Sequence, residues 1–167
     1  AEMGIALINF ALHQRGQQLA DALDHMRARI PKAIHIEALI PEVLDPLHAS
    51  GRVPACSVYL WDPHLDAFRL AGHRGRHEQE PIEAVSTLPF TAGFAAGSPW
   101  YIRAAIQRRA RADAEQAERL ALMDAMNADL TLPFFSSGAV IGWLHLSHEG
   151  WSDGFSLDEM QRLSDIA

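Results

Sequence analysis

The stretch Leu130-Thr131-Leu132-Pro133-Phe134-Phe135-Ser136-Ser137-Gly138-Ala139-Val140-Ile141-Gly142-Trp143-Leu144-His145-Leu146 decides the architecture. Its two apolar runs, Leu130 to Phe135 and Ala139 to Ser147, have the length of strands. The Ser136-Ser137-Gly138 between them is a three-residue polar turn of the hairpin kind. Side chains alternate across a strand, so Leu144 and Leu146 share one face and Trp143 and His145 the other. Gly142 predicts a close backbone approach within the second run. The two leucines suit packing beneath helices, which leaves Trp143 and His145 facing the opposite side.

Toward the C-terminus, Phe155-Ser156-Leu157-Asp158-Glu159 opens a helix, with Ser156 at the N-cap and Glu159 three residues later as a capping box. The last residues, Leu163 to Ala167, stand inside that apparent helix, from which we expect a longer natural chain. Upstream, Asp113 to Asn127 predicts an alanine-rich helix with Ala117, Leu120, Met123 and Ala125 on one side. Asp113, Glu115, Glu118 and Asp124 form its solvated face. Thr87 to Gly93 predicts a short strand that runs into a helix starting near Phe94 or Trp100. From Ala55 the period is two, with Cys56, Val58 and Leu60 opposite Ser57, Tyr59 and Trp61. After the Asp62-Pro63 turn, Ala67 to Ala71 predicts an antiparallel partner and Gly72 to Pro81 a polar loop.

Ile36, Leu39, Ile40, Val43, Leu44 and Leu47 make one apolar helical stripe, kinked or divided by Pro41 and Pro46. Glu2 to Arg29 predicts a single long helix in which Ile5, Leu12, Leu19 and Met26 recur every seven residues. That spacing suits either a seam between two chains, to be broken by charges at Leu12 and Leu19, or an amphipathic helix lying on its own domain. The whole order predicts an α+β fold, an antiparallel sheet flanked by helices with a long N-terminal helix. Residues 1–30 would be a signalling and dimerisation helix, and 31–167 the domain proper.

The chain of 167 residues is 49% hydrophobic and 21% charged, enough to close one core without disulfides or metal. A net charge of -7 with scattered arginines argues against a nucleic-acid surface. A single cysteine, Cys56, allows no intrachain disulfide and no cysteine zinc cluster, so a cytoplasmic location is expected. No apolar run approaches the ~20 residues of a membrane span.

Three segments resemble the GAF domains of bacterial signalling proteins such as sensor kinases, cyclases and transcriptional regulators. They are Leu88-Pro89-Phe90-Thr91-Ala92-Gly93-Phe94-Ala95-Ala96, then Leu132-Pro133-Phe134 with Gly138 to Leu146, and then Phe155 to Ala167. The resemblance spans roughly residues 36–167. It implies that the Trp143 and His145 face is the floor of a small-molecule pocket roofed by Phe94 to Asn127. The candidate ligand-binding residues are then Tyr59, Thr131, Trp143 and His145 from the sheet, with Ser57 beside them, and Trp100, Tyr101 and Arg103 from the roof. The alternative is that these residues fill a closed core.

The family includes haem-binding and bilin-binding sensors, yet no cofactor is assigned here. A strand histidine such as His145 is ordinarily hydrogen-bonded in a core or rim. The cysteine that attaches a bilin is absent from its usual positions, leaving only a noncovalent chromophore. The Asn-Lys of cyclic-nucleotide-binding members is missing. Free methionine sulfoxide reduction needs a nucleophilic and normally a resolving cysteine, and this chain has one. With no nucleophile elbow, phosphate loop or His-Glu-x-x-His pair, the expected class is a non-enzymatic module. The expectation is a ligand-sensing domain of a multidomain protein, for instance in a two-component system, homodimeric through its N- and C-terminal helices. The other reading is a ligand-free dimerisation or spacer module.

Overall fold

The computed structural model describes residues 16–26, 36–75, 82–86, 100–136, 138–147 and 155–165. The hairpin forms as its alternation predicts, with strands at Leu130–Ser136 and Ala139–Leu146 joined through Gly138, whose φ of 81° only glycine adopts without strain. In chain order the elements are helix α1 (residues 16–26), α2 (Ile36–Ala49), strands β1 (Ala55–Asp62), β2 (Ala67–Gly75), β3 (Ala84–Ser86) and β4 (Tyr101–Ile102). There follow α3 (Arg103–Arg109), α4 (Ala114–Ala125), β5 (Leu130–Ser136), β6 (Ala139–Leu146) and α5 (Leu157–Ser164). The strands form one six-stranded sheet in the order β3-β2-β1-β6-β5-β4, with antiparallel pairings throughout. This is the α+β arrangement the sequence predicts.

The sheet separates two cores. On one face Cys56, Val58, Leu130, Leu132, Leu144 and Leu146 pack with Leu19, Leu23 and Met26 of α1, Val43, Leu44 and Leu47 of α2, and Met160 and Leu163 of α5. On the other, Tyr59, Phe68, Tyr101 and Trp143 pack with Ile106 of α3 and with Met123, Met126 and Ala128 from α4 and the turn after it. Leu144 and Leu146 therefore lie beneath the first and last helices, and Trp143 faces away from them, as expected. Two of the four heptad residues, Leu19 and Met26, are completely buried in the chain's own core. A charge at Leu19 would disrupt that core rather than an exposed seam; Ile5 and Leu12 lie outside the described residues.

One local expectation is narrowed and two are corrected. Of a kinked or a divided α2, the structure leaves the first, because the helix is continuous through Pro41 and Pro46. Each proline removes one helical N–H, but Pro41 sits on the exposed side, and the burial of Val43, Leu44 and Leu47 holds the helix against the sheet. Strand β2 extends to Gly75, so Gly72 to Gly75 is strand and not loop. Its polar side chains are half-exposed or exposed, and Gly72 admits α2: a Cβ there would lie 2.6 Å from Ile40 Cγ2. Finally, Tyr101 and Ile102 are a strand, not the first turn of a helix. Pairing with Thr131 and Leu130, and the Arg103 N–H donated to the Asp129 carbonyl at 2.9 Å, outweigh local helix propensity. The expected strand at Thr87 to Gly93 and the helix start near Phe94 lie outside the described residues.

The capping box of α5 is present in both directions: the Glu159 N–H donates to Ser156 Oγ, and the Ser156 N–H donates to the Glu159 carboxylate. Glu159 also pairs with Arg52 at 2.9 Å, tying α5 to the segment between α2 and β1. Arg162 reaches Asp24 at 3.9 Å, so α5 also adjoins α1. Ser156→Ala should lower stability by about 1 kcal/mol, read as a shift of the urea midpoint at unchanged slope.

Candidate functional site

On the face away from α1, α2 and α5, the strand registers align a lateral row of side chains: Tyr101 of β4 opposite Thr131 of β5, Thr131 opposite His145 of β6, and His145 opposite Ser57 of β1. Adjacent strands stand ~4.8 Å apart, so the row from Tyr101 to Ser57 is about 14 Å long. Thr131, His145 and Ser57 are all buried. Such a concentration of polar groups inside an otherwise apolar layer costs stability unless each is hydrogen-bonded. His145 Nδ1 and Thr131 Oγ1 meet that condition at 2.8 Å. One row further along β1 and β6, Tyr59 stands opposite Trp143. Tyr59 packs edge-on against His145 with ring centroids 5.3 Å apart, and Trp143 lies 4.0 Å from Phe68 by the same measure.

The structure thus brings together five of the seven predicted residues, Tyr59, Tyr101, Thr131, Trp143 and His145. The structure places the other two away from this group. Trp100 packs against the core on the α1, α2 and α5 side, because it shares parity with Ile102 rather than with Tyr101. Arg103 is half-exposed at the start of α3 and pairs with Asp124 at 2.6 Å and Asp129 at 3.5 Å, fastening α3 to α4 and to the approach of β5. It secures the roof without entering it.

One residue at this site escaped the sequence reading. Arg119 of α4 is only 4% exposed, with its guanidinium 5.2 Å from the centroid of the Tyr101 ring, a cation–π distance, and it pairs with the half-exposed carboxylate of Glu115 one turn earlier. The inward stripe of α4 runs through the buried Arg119 and Met123 with the partly buried Gln116 and Leu120, whereas Ala117 is exposed, contrary to expectation. An arginine four residues before Met123 and four after Glu115 was the available signal. Ranking positions by hydropathy alone assigns it to the solvent.

Burial sets the electrostatics of the remaining groups. Tyr59 donates its hydroxyl hydrogen to the Ile82 carbonyl at 2.8 Å, and burial pushes its phenol up to about 12. The Tyr101 phenol is also raised by burial, with Arg119 pulling the other way. Cys56 lies on the opposite face, in the α2 core, where burial pushes its thiol up to about 12. These groups lose their protons near 9 to 10 when unfolded, so between that range and pH 12 the folded chain binds more protons and stability falls as pH rises. The urea midpoint should be lower at pH 10.5 than at pH 8; an unchanged midpoint would contradict the burial of these groups. Among the described residues, no group of three or more His, Cys, Asp or Glu side chains is placed to hold a metal ion. None of the described helices is long and apolar enough to cross a membrane.

No protein-family model matches the chain, and no curated protein matches it in sequence. Solved structures do match it in three dimensions. One is the GAF domain of the Acinetobacter phosphoenolpyruvate-protein phosphotransferase, at 16% identity and a TM-score of 0.60 over 88% of this chain and 86% of that one. This chain has the GAF fold. A phycocyanobilin-bound GAF domain from a cyanobacterial phytochrome matches over 89% of this chain and 90% of its own, at 16% identity and a TM-score of 0.56. The free methionine-R-sulfoxide reductase of Neisseria meningitidis, solved with its substrate, matches at 15% identity and a TM-score of 0.64 over 89% of this chain and 83% of that one. The GAF fold therefore accommodates both a bound chromophore and a catalysed reaction, and the residues on the sheet, rather than the fold, have to decide between such uses here.

Proposed function

We propose that this GAF domain is a sensory module of a signalling protein, which binds a small molecule between the sheet and the roof formed by α3 and α4. The observation that carries this reading is the buried row Tyr101, Thr131, His145 and Ser57 beneath that roof, with Tyr59 and Trp143 beside it. Aromatic walls with a few convergent polar groups are the usual makeup of a ligand site. A ligand that favours one roof position would shift strands β5 and β6, whose other faces carry α1 and α5. Those two helices adjoin each other and would pass the shift to whatever follows or precedes them.

Redox catalysis of the reductase type fits the residues less well. Cys56 is the chain's one cysteine, it lies across the sheet from the polar row, and its raised thiol is protonated at neutral pH. In the native protein Cys56 should resist a thiol reagent at pH 8 and react rapidly once the chain is unfolded in urea. Fast native labelling would reopen the catalytic reading.

A ligand-free spacer is the second reading, and one observation favours it: Tyr59, Thr131 and Trp143 are all at 0% exposure under the roof. Native mass spectrometry of the protein purified from its own host separates the two. A bound small molecule that is released on denaturation supports sensing. Protein that is ligand-free and binds nothing in a metabolite screen supports the spacer.

A further inference from the structure

We propose that the ligand is a small anion, a carboxylate or comparable oxyanion, and that Arg119 is its counter-ion. This rests on the small-molecule reading above and narrows it to one class of chemistry. Arg119 is the buried cation of the roof, and it stands over Tyr101, the end of the row that continues through Thr131 to His145. His145 is two strands from Tyr101, about 10 Å at ~4.8 Å per strand, so a ligand of a few carbon atoms would reach from the guanidinium to the Thr131 and His145 pair. A guanidinium is the side chain best matched to a carboxylate, since its planar fork can bond both oxygens.

Glu115 already supplies a carboxylate to Arg119, and its position explains how a ligand could take its place. The Glu115 side chain is 55% exposed, so it loses little by returning to water, and the pair is made within one helix, one turn apart. Glu115 thus acts as a placeholder that keeps Arg119 neutralised until a ligand acid displaces it.

A second and separate observation points to the same charge. Between α3 and α4 lies an open cleft of about 550 Å³ lined by Gln107, Arg108, Ala110, Arg111 and Leu120. Arg108 and Arg111 are exposed there, with the exposed Arg109 next to Arg108 in sequence, and the three form no ion pair among the described residues. This is a concentrated positive patch on a chain whose net charge is -7. Leu120, which also lines the cleft, packs on the same core as Tyr101 and Trp143 and is the chain neighbour of Arg119. Exposed arginines around a cleft draw anions toward it and repel cations, an effect that salt weakens.

The test is calorimetric titration of the wild-type domain with a panel of three- to six-carbon mono- and dicarboxylates, nitrate and inorganic phosphate. The matching neutral amides of the carboxylates serve as controls. At least one anion should bind, and for a carboxylate its amide should bind at least ten-fold more weakly. Arg119→Gln should lose at least ten-fold in affinity for that anion, with Arg119→Lys recovering part of it. Glu115→Gln, an exposed substitution that leaves the fold in place, should raise affinity several-fold by removing the competing carboxylate. Equal binding of acid and amide, undiminished affinity in Arg119→Gln, or unchanged or reduced affinity in Glu115→Gln would each overturn the proposal. Binding of the amides alone would overturn it while leaving the small-molecule reading intact, and binding of neither set would count against both.

Discussion

Trp143→Ala is expected to lower the unfolding free energy by about 3–5 kcal/mol, the usual cost of emptying a large aromatic site in a packed core. The indole is completely buried, stacks on Phe68 at 4.0 Å, and stands between Tyr59 of β1 and Pro133 of β5 in the sheet register. Its removal takes away the middle of the core that holds the roof helices. Domains of this size have roughly 5–15 kcal/mol in total, and each kcal/mol is worth ~2–4 °C, so the melting temperature should fall by roughly 10 °C. Urea denaturation followed by circular dichroism provides the measurement. A loss below about 1 kcal/mol would mean that the roof does not pack on Trp143, and the picture of a closed floor would fail.

Gly142→Ala should be nearly as damaging, for the opposite reason: it adds an atom where there is no room. A Cβ at that position would lie 2.5 Å from the Tyr59 carbonyl oxygen, 2.8 Å from Leu60 Cδ2 and 3.1 Å from Phe134 Cδ2. The first of these contacts is with backbone on the neighbouring strand, so relief requires β1 and β6 to separate. Overpacking of this kind costs roughly 3 kcal/mol. Gly16→Ala provides the control. In α1 a Cβ at Gly16 would meet nothing within 4 Å, and helix propensity alone should then stabilise the chain by up to about 1 kcal/mol. Two identical substitutions with opposite signs would show that the cost at Gly142 comes from its surroundings and not from alanine itself.

The elements that could be read from the chain are those whose signal is local. The β5–β6 hairpin, the Ser156 to Glu159 capping box and the alternation of β1 each depend on residues within one or two turns of one another. Where the reading failed, distant partners had decided the outcome. Gly72 to Gly75 is polar enough to pass for a loop but is held as strand by β1 and covered by α2. Tyr101 and Ile102 are strand because β5 offers an edge. Helix α2 survives two prolines because its apolar stripe is buried.

The candidate site divides along the same line. Parity along β6 is a covalent property of an extended chain, so the sequence by itself determined that Trp143 and His145 share a face opposite Leu144 and Leu146, while the β1–β6 register added Tyr59 to it. The sequence also determined the α+β class, since the change of hydrophobic period from 3.6 to 2 and back is written in residue order. Only the tertiary structure decided that Thr131 and Tyr101 continue the His145 row, because register between strands is a contact between segments far apart in the chain. The same holds for Trp100 and Arg103, which neighbouring elements direct away from that row. Arg119 is the sharpest case: its charge assigns it to solvent, and it is buried only because α4 lies across Tyr101, a neighbour that no pattern within the helix announces.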